Sequence, residues 1–239
     1  MNAINKIMGR ETGSVFVYGN ENIKKDRLKP AICCLKRFCR KFKNKHIFIT
    51  GSFLYKERYK DIDLFVVSKY DKEDYHDKEF HINYVDEEVY SSLFFASAKR
   101  LCVSNRKITE KEIKEKPDLD IFISLYQELF NEFDRKFKGV RSTLREFLIY
   151  AAFIAESPIP NSLELSRQSD KIMKSRQPKE LIKKIFVQSI ILGTEPKKAA
   201  RAMKEMMSSY KDIMNEYKQH KKYYLDLIEA FKEVISFES

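Results

Sequence analysis

The sequence predicts an α+β protein in which a small mixed β-sheet domain with helices on it is followed by an all-α C-terminal domain. Before about residue 107, short β-rich segments alternate with helical patterns, and after it apolar residues recur only at helical spacing. Hydrophobic residues make up 43% of the chain and charged residues 34%, which excludes a disordered chain and a membrane protein. We therefore expect two domains, 1–106 and 107–239.

Five short segments of the first domain have the composition of β-strands. They are runs rich in β-branched and aromatic residues, bounded by turn residues, at 14–18, 46–50, 61–67, 79–85 and 101–104. In the third of them, alternation of side chains predicts that the apolar residues face a covering helix. These segments together predict the sheet.

Two helices are predicted between the strands. The first covers 27–44, where apolar residues follow a helical period, and Asp26 is its predicted N-cap. The second covers 89–100. The charged segment 69–78 is predicted to be an exposed loop. The four cysteines, three of them in the first helix, have neither zinc-site nor disulfide spacing and are predicted to be small core residues.

The second domain is predicted to consist of amphipathic helices. One opens after Pro117 and ends at Gly139, Ser142 caps the next, and a third runs over 178–193. The segment 197–236 is long and amphipathic. It favours a helical surface through which two copies of the chain form a homodimer, and a helical interaction protein is one alternative function.

Two carboxylates lie at the start of the third predicted strand. Asp61 and Asp63 are two residues apart, so that both side chains point to the same face. Neighbouring carboxylates repel each other unless a cation lies between them, and hard oxygen ligands suit Mg²⁺ or Mn²⁺. The pair therefore predicts a metal site, the alternative being two solvated side chains at a sheet edge.

A phosphate site is predicted beside these carboxylates. Gly51 permits close approach of the backbone, and Ser52 begins a helix of one to two turns whose free N–H groups favour a phosphate. Three basic residues of the following connection either contact phosphate or are solvated: Lys56, Arg58 and Lys60. A metal site joined to a phosphate site predicts binding of a nucleoside triphosphate (NTP).

The segment HIFITGSFLYKERYKDIDLFVV resembles the signature of the nucleotidyltransferase superfamily, which has the DNA-polymerase-β-like fold. That signature is an apolar strand, Gly-Gly or Gly-Ser, a variable gap and Asp-x-Asp. The resemblance implies transfer of a nucleotidyl group from an NTP to a hydroxyl with a divalent metal. It also implies that Asp61 and Asp63 hold the metal and that Gly51 and Ser52 hold the triphosphate.

The sequence departs from this family at the third carboxylate. Members often carry a third Asp or Glu in a following strand, where this chain has Asn83, which cannot act as a general base. His81 lies on the same face of that strand and is a candidate base for the acceptor hydroxyl. Asp86 and Glu79, at the strand ends, are further candidates. The alternative is a catalytically decayed protein that binds nucleotide or nucleic acid, with His81 and Asn83 only lining the sheet.

The charge distribution predicts a polyanionic partner. The net charge is +11, and between residues 24 and 45 ten basic residues accompany a single acid, Asp26. The predicted nucleic-acid contacts are Lys36, Arg37, Arg40 and Lys41. An RNA such as tRNA is the acceptor we favour; a protein hydroxyl, as in toxin-type nucleotidyltransferases, is the second choice. The alternative is a solvated helix face.

The sequence predicts neither a membrane span nor a secretory signal. No apolar run approaches the roughly 18 residues of a membrane span, and the first residues have no apolar stretch typical of a secretory signal. We therefore expect a cytoplasmic protein without a membrane partner.

Overall fold

The protein is described by a computed structural model covering residues 9–12, 15–69, 75–76, 79–108, 118–135 and 139–193. These residues fall into two compact units. The first takes in what is described of Asn5–Lys116 together with Ile159–Arg167, and the second what is described of Pro117–Pro158 and Gln168–Ser239. The first unit thus includes a short segment from beyond residue 107, and the division into domains 1–106 and 107–239 stays a prediction.

Seven strands of the described chain form one mixed sheet in the order β1-β2-β7-β3-β4-β6-β5. Their bounds are β1 Gly9–Thr12, β2 Val15–Tyr18, β3 His46–Thr50, β4 Ile62–Val67, β5 Tyr75–His76, β6 Phe80–Val85 and β7 Cys102–Ser104. β4 and β6 are parallel, whereas the other neighbouring strands are antiparallel. The α+β prediction is confirmed. The two outer strands were not predicted, and β5 lies in the segment expected to be a loop.

One face of the sheet is covered by two helices, α1 (Lys25–Lys41) and α2 (Ser52–Tyr55). The α1 side chains buried there are Ala31, Leu35 and Phe38. These positions lie four and three residues apart, which places them on one side of the helix. They share a core cluster with apolar side chains of the central strands, as predicted for the helix-covered face of β4.

Two predictions about α1 were wrong. Its N-cap is Lys24, without a side-chain cap, and Asp26 lies in the first turn, where its charge still favours the helix dipole. All four cysteines are free. The prediction of core cysteines was wrong for Cys33, which is exposed, whereas Cys34 and Cys39 are partly buried against the core and Cys102, in β7, is fully buried. The reason is geometric: Cys33 is about 200° around the helix from buried Ala31.

The other face of the sheet is covered by α3 (Glu87–Ser91) and α4 (Leu93–Lys99). The sequence predicted one continuous helix here, but Ser92 is extended, with φ −70° and ψ 159°, and separates the two. Aromatic side chains fill the core beneath them. The rings of Phe48 and Phe65 stack with their centres 5.1 Å apart.

This second core also buries two basic side chains. Lys99 Nζ lies 3.8 Å from the centre of the Tyr90 ring, which is a cation–π contact. His46 Nε2 lies 2.9 Å from Ser104 Oγ. Burial, followed by the positive charges of Arg106 and Lys99, lowers the pKa of His46 to about 4. His46 is therefore neutral in the folded protein over most of the acid range.

We expect the free energy of unfolding to fall as the pH drops from about 6.5 towards 4, because His46 then gains a proton only in the unfolded chain. For the folded pKa of about 4, the full loss is about 3 kcal/mol. The difference between the free energies of unfolding in urea at pH 7 and pH 4.5 measures most of this loss. His46→Gln should reduce the pH dependence, and the same dependence in parent and variant would contradict this assignment.

From Leu119 onward, the described part of the chain contains four helices: α5 Leu119–Arg135, α6 Val140–Ile154, α7 Ser162–Met173 and α8 Pro178–Gly193. Phe122 of α5 stacks on Phe147 and Phe186, which joins α5, α6 and α8 into one core. These three helices were predicted, whereas α7 was not. α6 begins after Gly139, so the prediction that Ser142 caps it was wrong.

Two further expectations concern the C-terminal part and membranes. The predicted amphipathic segment 197–236, and with it the predicted dimer surface, lies outside the described residues. Among the residues that are described, no helix combines the length and the apolar character needed to cross a membrane.

Candidate active site

The Gly-Ser pair forms the turn between β3 and α2. Gly51 has φ 87°, a backbone conformation that favours glycine, and α2 is a single turn of four residues beginning at Ser52. A Cβ atom at residue 51 would overlap the Oδ2 atom of Asp63. Glycine is therefore required here for the backbone conformation and for the close approach of the Asp63 carboxylate.

The two carboxylates flank Ile62 at the start of β4. Ile62 is buried in the core under α1, so strand alternation turns Asp61 and Asp63 towards the opposite face. Their side chains are 13% and 29% exposed, respectively, which leaves both partly shielded and still accessible. Lys60 Nζ lies 4.0 Å from Asp61 Oδ2, but the Lys60 side chain is 83% exposed, so this ion pair is weak.

The parallel pairing of β4 and β6 brings His81 next to the second carboxylate. Asp63 pairs with His81 and Phe65 pairs with Asn83 in the strand register. His81 Nδ1 lies 3.6 Å from Asp63 Oδ1. The sequence placed Asn83 at the position of the family's third carboxylate, but the register puts His81, two residues earlier, across from Asp63.

The other two candidate bases, Asp86 and Glu79, have contacts that differ from those of His81. Asp86 caps α3, since its Oδ1 accepts a hydrogen bond of 2.7 Å from Val89 N. It also follows the far end of β6, about 16 Å of strand away from His81. Glu79 lines a groove beside α1, where burial and then the Glu79 charge raise the pKa of the Cys34 thiol to about 11. His81 is thus the candidate base for which the structure gives a position beside Asp63.

The connection between α2 and β4 is held in place by α1. The Arg27 guanidinium lies 4.6 Å from the centre of the Tyr59 ring, and its Nη2 donates a hydrogen bond of 3.4 Å to Glu57 O. Lys24 Nζ lies 3.1 Å from a Glu57 carboxylate oxygen. The predicted phosphate ligands of this connection are half-buried or exposed: Lys56, Arg58 and Lys60. Their contact with phosphate stays a prediction.

The predicted nucleic-acid contacts lie on the outer side of α1. All four side chains are exposed: Lys36, Arg37, Arg40 and Lys41. Arg40 and Lys41 are in the last turn of the helix, where positive charge also interacts favourably with the helix dipole. Their exposure is consistent with phosphate contacts and with a solvated face.

The carboxylate pair fits a magnesium ion that is shared with a substrate. In the ranges that the structure describes, no group of three or more His, Cys, Asp and Glu side chains is arranged to hold a metal ion. Mg²⁺ usually binds through one or two protein carboxylates and takes further oxygens from substrate phosphates and water. Asp61 and Asp63 are two carboxylates of the kind that such a site uses.

Comparison with known proteins agrees with this geometry. Residues 33–116 match the family model described as a nucleotidyltransferase domain, whereas no curated protein matched the chain. The matched residues include the Gly-Ser turn, the carboxylate pair and His81, which are the parts that the fold brings to one end of the sheet. Residues 33–116 are therefore similar to a nucleotidyltransferase domain.

Proposed function

We propose that the protein transfers a nucleotidyl group from an NTP to a hydroxyl of an RNA, in a reaction that depends on Mg²⁺ or Mn²⁺. The observation that supports the proposal is the close approach of Asp63 to the Gly51 turn, where a Cβ atom at residue 51 would overlap the Asp63 carboxylate. His81 beside the same carboxylate adds a group that can take a proton.

In this mechanism Asp61 and Asp63 hold the metal ion, which when bound stabilises the charge on the attacking and leaving oxygens. Gly51 and Ser52 bind the triphosphate through the first turn of α2. The acceptor oxygen forms a bond to the α-phosphorus while the bond to the bridging oxygen breaks, and pyrophosphate leaves. The hydroxyl proton passes to Nε2 of His81, whose Nδ1 faces Asp63.

The test is incubation of the protein with each labelled NTP, Mg²⁺ and total RNA, followed by a denaturing gel. Label in RNA supports the proposal. Label in protein instead moves the acceptor to a protein hydroxyl, and nucleotide binding without any transfer supports a decayed enzyme. Label in protein retains the nucleotidyl transfer chemistry, whereas nucleotide binding without any transfer refutes it.

The glycine at the turn provides a prediction about nucleotide binding. Gly51→Ala should lower Mg²⁺-dependent NTP affinity at least tenfold, because the new Cβ displaces the Asp63 carboxylate. The backbone conformation of residue 51, with φ 87° and ψ −170°, is essentially restricted to glycine, so alanine adds a cost of about 1–3 kcal/mol to folding. Isothermal titration measures the affinity, and the control is Gly139→Ala, where φ is −76°. Equal NTP affinity of Gly51→Ala and the parent would contradict this role of the turn.

The basic face of α1 gives a prediction about salt. Replacing Lys36, Arg37, Arg40 and Lys41 by Gln should weaken RNA binding, because fewer phosphates are then neutralised by the protein. The slope of log affinity against log salt should flatten by about 1 for each basic side chain that binds a phosphate in the parent. NTP binding should be unchanged.

A matched control removes the same charge from another exposed surface, on and just after α7. Its substitutions to Gln are at Arg167, Lys171, Lys174 and Arg176. Fluorescence anisotropy at several salt concentrations compares both variants with the parent. Equal flattening in both variants means that net charge, and not the α1 face, determines RNA affinity. A slope near zero in the parent would remove RNA as the acceptor.

A further inference from the structure

A groove of about 430 Å³ lies between α1 and the first residues of β4 and β6. Two of its lining residues are Ile62 and Phe80, which both point into the core under α1. Ile62 lies between the two carboxylates, and Phe80 directly precedes His81. Because neighbouring residues of a strand face opposite sides, the groove lies behind the candidate active site, at the same end of the sheet.

An aromatic side chain stands at the rim of this groove. Tyr59 is 39% exposed, although most large apolar side chains of the described chain are buried. Arg27 packs over its ring at 4.6 Å, and Phe53 meets the ring edge-on with the centres 5.0 Å apart. Arg27 is itself held by Asp26, whose Oδ2 lies 3.5 Å from Nε. The Tyr59 ring is therefore a supported and accessible stacking surface, which loses little freedom when a ligand binds.

Charged side chains of both signs line the groove. Arg37 lines the groove and is exposed, and from there the basic face of α1 continues to Arg40 and Lys41. Glu79 lines the groove as well, and its carboxylate repels phosphate but accepts hydrogen bonds from the N–H groups of a base. Arg37 lies ten residues after Arg27, which contacts Tyr59, so about 15 Å of helix separates the basic end of the groove from its aromatic end.

We propose that this groove binds an unpaired segment of the RNA acceptor, with a base on Tyr59 and a backbone phosphate at Arg37. The proposal rests on the proposed function and adds the place where the acceptor docks. Aromatic side chains stack on unpaired bases, whereas the base faces of a duplex are covered by their neighbours. The groove and Asp63 lie at the same end of the sheet on opposite faces, so the acceptor strand would pass around this end of the sheet to reach the active site.

The absence of tryptophan from the sequence allows a direct test. Tyr59→Trp introduces a single fluorophore at the groove, and Val89→Trp introduces one at an equally exposed position on α3. Titration with unlabelled decamers of oligo(A) and oligo(U), without NTP, should quench the first and leave the second nearly unchanged. A duplex decamer should quench neither. Equal quenching of both fluorophores by the single strands would overturn the assignment.

Affinity measurements provide a second, independent readout. Tyr59→Ala should weaken decamer binding by roughly tenfold or more, Tyr59→Phe should bind like the parent, and Arg37→Gln should lower the salt slope by about 1. Thermal unfolding of each variant checks its fold, and if Tyr59→Ala is unfolded, Tyr59→Leu replaces it. Decamer affinity equal to the parent in the folded variant lacking the ring would overturn the proposal, as would a parent that binds no decamer.

The two proposals can fail separately. Decamer binding is measured without NTP, in the parent and in Asp63→Asn, so that it does not depend on catalysis. Stacking at Tyr59 in a protein that transfers no nucleotide would refute the proposed function and retain the groove. Transfer to RNA that is unchanged by Tyr59→Ala, with unchanged decamer affinity, would refute the groove alone.

Discussion

Replacing Asp61 or Asp63 by Asn is expected to reduce Mg²⁺-dependent nucleotide binding and transfer to background. The amide keeps the shape of the side chain but removes the charge that holds a divalent cation. The fold should remain intact, because the substitution reduces repulsion between two carboxylates on the same face of the strand. The melting temperature in EDTA should therefore stay level or rise.

The two substitutions are expected to differ in their effect on His81. Asp63 Oδ1 lies 3.6 Å from His81 Nδ1, whereas Asp61 Oδ2 lies 4.0 Å from Nζ of the exposed Lys60. Asp61→Asn should therefore affect mainly the metal, while Asp63→Asn should also disturb the histidine. Transfer rates at increasing Mn²⁺ should recover further in Asp61→Asn than in Asp63→Asn.

The chain contains its own matched control for this experiment. A second Asp-x-Asp begins α5, where Asp118 Oδ1 accepts a hydrogen bond of 2.9 Å from Asp120 N and both side chains are exposed. Asp120→Asn should leave NTP affinity unchanged. NTP titrations with and without Mg²⁺ measure all three variants. Parent-like Mg²⁺-dependent affinity in both Asp61→Asn and Asp63→Asn would refute the metal assignment.

Local sequence patterns predicted the parts of the site that depend on a single segment. The apolar strand β3, the Gly-Ser turn and the alternation along β4 each span a few residues, so composition and periodicity are sufficient to find them. The outer strands β1 and β5 were missed because one is polar and the other has two residues. The break at Ser92 was missed because apolar residues continue at helical spacing across it.

Features that depend on distant residues could not be predicted in this way. The pairing of Asp63 with His81 follows from the register of two parallel strands, and nothing in either strand alone determines it. The contact between Arg27 and Tyr59 joins residues 32 positions apart. Lys99 resembles a solvated residue in the sequence, but its place at the end of α4 buries it over an aromatic ring.

His81→Gln is expected to lower turnover by roughly 10²–10⁴-fold, the usual contribution of a general base. Glutamine retains a polar side chain of similar size but cannot take up the proton of the acceptor hydroxyl. NTP affinity should change little, because the proposed metal ligands remain in place. Single-turnover rates at saturating NTP, together with equilibrium NTP titrations, separate these two effects.

Substitutions at neighbouring residues show whether His81 acts in catalysis or only supports the structure. Asn83→Ala changes the next side chain on the same face, which lies across from Phe65, and should leave turnover near the parent value. Asp86→Asn should change stability by at most about 1 kcal/mol through the α3 cap and leave turnover unchanged. If turnover survives His81→Gln and falls with Asp86→Asn, the proton is taken up at the far end of β6 and His81 is not the base.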